Sequence, residues 1–430
     1  MTTIALAALI AALAAADAAE AESYAPGQLE VRWHGQRFGA AVPLPRGLGV
    51  REAARALRRN PRVAYAVPNF IATASALPDD PGTAPGRAGK PGNWVSKQWN
   101  FLACGSLCHP AARAARFQSR GGINAIGAWR HLTSAGHPGA SGVTVAVLDT
   151  GVAYRSSGRF RRSPDFSPAQ FVTGRDVVDG DSRPTDENGH GTHIAGTIAE
   201  RTDNGIGVTG LAYGAKLMPV RVLNELGRGQ ADDIARGIRF AARHGADVIN
   251  LSFNFACGAK VPDVVASIAF AHRHGAVVVA SVGNATSEAC VSPPATAHHV
   301  IGVGGTTVAA CLGGYSLKGR EVDLVAPGGG SPLPSCHSNA DRPIFQVTFK
   351  SGSPRHFGLP DYYVGTSMAA AHVAGAAAMV IASGVIGRRP SPGAVAARLE
   401  TTARDLGTPG RDRSFGAGLI DAARATNPRL

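Results

Sequence analysis

The chain has 430 residues, 44% of them hydrophobic and only 17% charged, which suits one large α/β domain or two domains and excludes long disordered tracts. Its formal charge is +13, yet the arginines are scattered and aromatics make up 6%. Neither a basic nucleic-acid groove nor a stacking platform for single strands is therefore expected, and the charge reads as solvated surface.

Residues 1–21 are almost all Ala, Leu and Ile and end in small residues from Ala18 to Ala21. That is the apolar core and cleavage zone of a secretory signal, although no Lys or Arg precedes it. Export is the expectation, and no later run reads as a membrane anchor. The six cysteines, Cys104, Cys108, Cys257, Cys290, Cys311 and Cys336, fit an oxidising compartment. They allow 15 connectivities. Pairing in chain order is the simplest, and Cys257–Cys290 and Cys311–Cys336 would staple loops close to the motifs below.

Residues 24–76 read as a small α/β unit, with a strand at Leu29–Trp33, a helix at Val50–Arg59 and a strand at Val63–Ala72. Pro, Gly, Asp and Lys crowd residues 77–93, which predicts an exposed linker holding a processing region. From residue 94 to 430 strands and helices alternate. Strands are expected at Val143–Leu148, Lys216–Leu223, Val248–Phe253, Ala276–Val282, Val300–Val303 and Asp323–Ala326. Helices are expected at Gly191–Ala199, Asp232–His244 and Val261–His274, and a last one runs from Ser367 to about Ser383. Such alternation predicts a mostly parallel sheet with helices on both faces, and ligand sites in such sheets lie at the carboxyl ends of the strands. Asp149 and Asn284 both sit at such ends.

Ser367 follows a Gly-Thr turn and opens the helix-length run of small apolar residues, so its hydroxyl meets free backbone N–H groups at a helix N-terminus. Alone it could be an N-cap. Two further motifs change that reading: Asp149 in Val-Leu-Asp-Thr-Gly, and His190 in Asn-Gly-His-Gly-Thr-His. A hydroxyl needs a base to become a nucleophile, an imidazole has the right basicity, and a carboxylate fixes its tautomer. His193, three residues beyond His190, lacks the spacing and the Glu of a zinc-protease helix and reads as structural. Asp-Thr-Gly also occurs in aspartic proteases, but no second copy is present.

The chain order Asp, His, Ser and the three blocks around them resemble the subtilisin-like serine proteases, the subtilases. Asn-Gly-Ile-Gly-Val at 204–208, Val-Asp-Leu-Val-Ala-Pro-Gly at 322–328 and Phe-Gly-Ala-Gly-Leu-Ile-Asp at 415–421 extend the likeness. The resemblance implies an α/β subtilisin-like domain over 94–430, preceded by an inhibitor-like propeptide at 24–76. It implies a secreted, monomeric endopeptidase that acts on polypeptides and is made as a self-processing zymogen. It assigns Asp149, His190 and Ser367 as the catalytic triad and Asn284 as the oxyanion donor, with Gly283 giving close backbone approach. It places substrate between Gly227-Arg228-Gly229 and Ser252-Phe253-Asn254, where Asn254 replaces the usual Gly and Ala371 replaces the usual Pro of the Ser block. It also implies a structural calcium held by Asp165, Asn204, Ile206 and Val208. A subtilase fold that grips peptides without cutting them is the competing reading. Residues 329–362 look like an insertion ahead of the nucleophile.

Overall fold

The computed structural model describes residues 24–36, 39–45, 47–70, 78–104, 118–284, 290–336, 338, 340–350 and 352–430. The chain divides into two units, Met1–Ala76 and Leu77–Leu430. In the smaller, β1 (Tyr24–Trp33) lies between β2 (Ala40–Pro43) and β3 (Val63–Phe70), antiparallel to both. Alternation along β1 puts Leu29 and Val31 on one face, where α1 (Val50–Leu57) covers them with Val50, Ala53 and Ala54. β2 has exposed, weakly apolar residues and gives no strand pattern in the sequence.

The larger unit is built on seven parallel strands in the order β10-β9-β8-β7-β4-β6-β5. After α2 (Ala125–Ser134) come β4 (Thr144–Asp149), β5 (Arg175–Asp176), α3 (His190–Ala199), β6 (Lys216–Arg221) and α4 (Ala231–Arg243). β7 (Val248–Leu251), α5 (Pro262–Arg273), β8 (Val277–Ser281), β9 (Val300–Thr306) and β10 (Leu324–Pro327) follow. Residues Val145 to Leu148 are fully buried, as a central strand covered on both faces requires. Opposite faces of β4 meet different helices: Gly191 of α3 lies against Asp149, and Gly237 of α4 lies against Leu148. From β4 the chain goes out to the edge strand β5, comes back to lay β6 between the two, and then crosses to the other side of β4 with β7. The carboxyl end of β4 is therefore where the winding reverses and where an α/β sheet leaves a crevice.

An antiparallel hairpin, β11 (Thr348–Lys350) and β12 (Ser353–Gly358), precedes α6 (Thr366–Ser383), α7 (Pro392–Thr402) and α8 (Ala422–Thr426). α6 is long and apolar enough to cross a membrane, contrary to the expectation that no such run follows the leader, but 89% of it is buried in the protein. Its Ala-rich surface lets it pack against β7, β8, β9 and β10 as the central core helix.

Residues 78–93, expected as an exposed linker, are instead folded into the larger unit. Asp80 and Trp94 are fully buried, the Trp94 indole donates to the Pro78 carbonyl at 2.8 Å, and the Gly82 N–H donates to Gly207 O at 2.8 Å. The Asp80 carboxylate accepts from the Thr202 hydroxyl and from the Asp203 and Asn204 N–H groups. Cys257–Cys290 and Cys311–Cys336 are joined, with Cα atoms 5.6 and 6.0 Å apart. Cys108 lies outside the described residues, as does the leader at 1–21.

Candidate active site

Asp149 closes β4 and is wholly buried. Its Oδ1 accepts the Thr150 N–H at 2.8 Å and faces His190 Nδ1 at 2.8 Å. This fixes the imidazole: Nδ1 carries the proton toward the carboxylate, and Nε2 is left as the basic nitrogen. Burial pushes the His190 pKa down, but the charge and hydrogen bond of Asp149, with help from Asp186, outweigh it and leave the pKa above the ordinary imidazole value.

Asp186 is a site residue that the sequence reading missed. Its Oδ1 accepts the N–H groups of Asn188 and Gly189 and the Thr150 hydroxyl, each at 2.9 Å. Its Oδ2 accepts the Thr192 N–H at 2.9 Å and the Thr192 hydroxyl at 2.6 Å. One carboxylate thus ties the N-terminus of α3 to the residue that follows Asp149. An Asp just ahead of a helix start is a legible capping signal, although here it lies four residues before His190.

Ser367 sits in the first turn of α6 and is partly exposed. Its hydroxyl donates to the Ser252 carbonyl at 2.9 Å, and the Ser252 hydroxyl donates back to the Ser367 carbonyl at 2.8 Å. No hydrogen bond joins Ser367 to His190 among the described residues. A free hydroxyl rotor takes the nearest acceptor, and rotation about χ1 redirects it without moving the backbone.

Asn284 follows β8, and its Oδ1 accepts both the N–H and the hydroxyl of Thr366 at 2.9 Å. Those donors settle which end of the amide is the oxygen, so Nδ2 is the end left to donate. The amide lies against Gly365, where a Cβ would come within 2.9 Å of Nδ2. At Gly283 φ is +109°, and an added Cβ would strike Leu317 at 2.8 Å, so glycine is needed there on both counts. Thr366 escaped notice in the sequence because its role depends on a residue 82 positions away.

Around this group, the N–H groups of Val222 and Leu223 bond the Asp149 carbonyl, which ties the exposed 227–229 loop to the end of β4 through Val222, whose carbonyl lies against Gly229. Ser252, Phe253 and Asn254 continue β7. Asn254 Nδ2 donates to the Ser281 carbonyl at 2.6 Å, and the Ser281 hydroxyl donates to Asn254 Oδ1 at 3.0 Å. Asn254 thus bridges the ends of β7 and β8 beside Gly283. His193 donates from Nε2 to the Ile344 carbonyl at 2.9 Å, and burial lowers its pKa to about 3, which suits the structural role read for it.

Of the residues expected to hold calcium, Asp165 and Asn204 come together: Asn204 Nδ2 donates to Asp165 Oδ1 at 2.7 Å, and the Val208 N–H donates to Oδ2 at 3.2 Å. The Ile206 N–H donates to Asn204 Oδ1 at 2.8 Å. Gly207 has φ +58°, and a Cβ there would overlap Asp165. Asp80 and Glu200, absent from the sequence reading of this site, are buried nearby; the Asp80 charge helps raise the pKa of both Asp165 and Glu200, and the Asp165 charge that of Glu200. Burial foremost pushes the carboxyls of Asp165 and Glu200 well up and that of Asp80 to about 6. Among the described residues no three acidic, His or Cys side chains close around one point. A surplus of buried negative charge with amide and main-chain oxygen close by nevertheless suits a hard cation.

The "Subtilase family" model of known sequences matches residues 140–418, well over half of the chain and all three motif blocks. The chain belongs to the subtilase family. This subtilase is 32% identical over 335 residues to a thermophilic serine proteinase of a Bacillus species, which covers 78% of this chain and 67% of that one. It is 34% identical over 295 residues to subtilisin DY of Bacillus licheniformis, covering 67% of this chain and 92% of that one. An extracellular protease of Xanthomonas campestris is 34% identical over 340 residues; the match covers 72% of this chain and 54% of that protein, so the subtilase spans about half the length of that relative. Among solved structures, a protease from Pseudoalteromonas arctica superposes with a TM-score of 0.61 at 29% identity, covering 82% of this chain and 99% of that one. The α/β architecture and the serine-type endopeptidase class expected from the sequence hold.

Proposed function

We propose that this subtilase is a secreted endopeptidase that cuts polypeptides through a covalent acyl-enzyme at Ser367 and is made as a precursor with residues 24–76 as its own inhibitor. The observation that carries the reading is the 2.8 Å bond between buried Asp149 and His190 Nδ1 at the reversal point of the sheet. His190 Nε2 takes the Ser367 proton as Oγ attacks the scissile carbonyl, and later returns it to the leaving amine. Asn284 Nδ2 and the Ser367 N–H receive the oxyanion. Substrate adds as a strand between residues 227–229 and 252–254, and the Asn254–Ser281 bridge narrows the pocket beside Gly283. A fluorophosphonate probe is expected to label Ser367 in the purified mature protein, which also hydrolyses casein. An active preparation left unlabelled at Ser367 sinks the reading, and peptide binding without casein turnover favours the non-cutting alternative.

The extracellular relatives and the apolar leader support secretion. The buried place of Asp80 supports a maturation cut ahead of it, because cleavage farther along would pull a carboxylate out of the 202–204 loop that it bonds.

The family generally uses structural calcium and no catalytic cofactor. Asp165 and Asn204, with main-chain oxygens of the 206–208 turn and Asp80, are the residues that would hold the ion, which would supply countercharge. The pH sign follows from Asp80. With its folded pKa raised to about 6, its contribution is fully present below the unfolded carboxylate pKa and is lost as pH rises through about 6 unless a cation compensates. A chelator is therefore expected to lower Tm by about 5 °C near pH 8, and by far less near pH 5. Asp165→Asn should abolish the difference. Equal melting with and without chelator near pH 8 would remove the calcium site.

A further inference from the structure

The insertion recognised ahead of Ser367 is not a loop over solvent: residues 344–349 within it, and Tyr363 just after it, lie against α3, the helix that begins with His190. They grip that helix at three levels. At the N-terminus, the Thr348 hydroxyl donates to the Gly189 carbonyl at 2.6 Å, one residue before His190. One turn into α3, the Ile344 carbonyl accepts from His193 Nε2, and the Tyr363 ring stacks on the His193 ring with centroids 4.0 Å apart. At the C-terminus, the Val347 N–H bonds both Glu200 oxygens at 3.2 Å. Gly189 itself has φ +104° and packs its Cα against Phe349 and Thr348, with 3.2 Å left for any Cβ. Thr348, Phe349, Ile344 and Val347 are all buried, so these contacts are packed and dry.

From this we propose that residues 344–349, together with Tyr363, form a strap whose task is to position His190, with Thr348 and Tyr363 as its positioning residues. The inference rests on His190 being the general base. Asp149 and Asp186 hold the base from the sheet side and from within its own loop. Both act on the first turn of α3, and the strap adds restraint in the middle and at the far end of the helix. A helix held at both ends and in the middle cannot shift the imbidazole relative to Asp149 without breaking buried hydrogen bonds.

Thr348→Val keeps the shape and removes the donor. Measured on active-site-titrated enzyme, its kcat is expected to fall roughly 10-fold with KM little changed, the scale of one buried hydrogen bond turned into misalignment. Its acid pH limb should move to lower pH, because looser contact with Asp149 removes part of what raises the His190 pKa. Thr348→Ser should restore both. Tyr363→Leu should slow turnover as Thr348→Val does, and Tyr363→Phe, which keeps the stacked ring, should not; this pair decides the matter if Thr348→Val does not fold. A lower Tm with unchanged kcat and pH limb in both Thr348→Val and Tyr363→Leu overturns the strap. His190→Ala measured alongside separates the two readings: if it keeps activity, the base assignment falls and the strap with it. If it is inactive while both strap variants turn over normally, only the strap falls.

Discussion

Replacing Ser367 by Ala is expected to lower kcat by roughly a million-fold and to leave the secreted product as an uncut precursor. In the proposed mechanism nucleophile, base and orienter act as one unit, so losing the first forfeits nearly all that the three achieve together. The fold should tolerate the change. Ala is the best helix former, and what is lost is one hydrogen bond to the Ser252 carbonyl, worth about 1 kcal/mol. The Ser252 hydroxyl still bonds the carbonyl of residue 367, and Asn284 still bonds Thr366, so both sides of the oxyanion pocket keep their places. In the proposed mechanism self-processing uses the same hydroxyl, and so mass spectrometry of the secreted Ser367→Ala protein from a protease-free host reads the second half of the prediction. A product that matures normally there would show that another enzyme makes the cut. A residual kcat within 100-fold of the wild type would show that Ser367 is not the nucleophile.

The parts of the site that could be read in the sequence are those whose meaning is local. Asp149 ends an uninterrupted apolar run, His190 opens a helix directly after Gly189 and Ser367 is the second residue of the helix that follows Gly365, and these positions follow from strand and helix periodicity with the motif order added. What escaped notice joins distant segments. Thr348 reaches Gly189 across 159 positions, Ile344 reaches His193 across 151, and Asp80 reaches Asn204 across 124. Nothing in the composition around Thr348 distinguishes a strap from a surface insertion. Residues 78–93 show the same limit from the other side. Pro and Gly are as frequent in tight, buried turns as in flexible linkers, and only the burial of Asp80 and Trp94 separates the two. The Ser367 hydroxyl is a smaller departure: the motif order places it near His190, but the acceptor it takes is set by a carbonyl of β7's continuation, which no motif encodes.

Asp149→Asn should cost about ten-thousand-fold in kcat while leaving the structure almost intact. The carboxylate accepts from His190 Nδ1 and from Thr150 N–H through the same Oδ1. In Asn, the amide can keep the Thr150 bond through its oxygen but then turns an N–H into the buried space of Oδ2, which has no partner among the described residues. If it turns over, it presents that N–H to the imidazole, forces Nδ1 to become the acceptor and places the proton on Nε2, where it cannot accept from Ser367. Either way the base is in the wrong tautomer or loses its anionic partner. The sign of the pH effect follows from the same contacts. Burial lowers the His190 pKa, and the Asp149 charge is the largest influence raising it, so removing that charge moves the pKa down. The acid limb of kcat/KM, expected in the wild type above the ordinary imidazole value because the base must be neutral, should therefore shift to lower pH in the variant. Initial rates on a peptide amide from about pH 5 to pH 10, normalised by active-site titration, test both parts. A kcat within tenfold of the wild type, or a limb that stays where it was, would mean that the 2.8 Å contact between Asp149 and His190 is structural and that the imidazole draws its basicity from elsewhere.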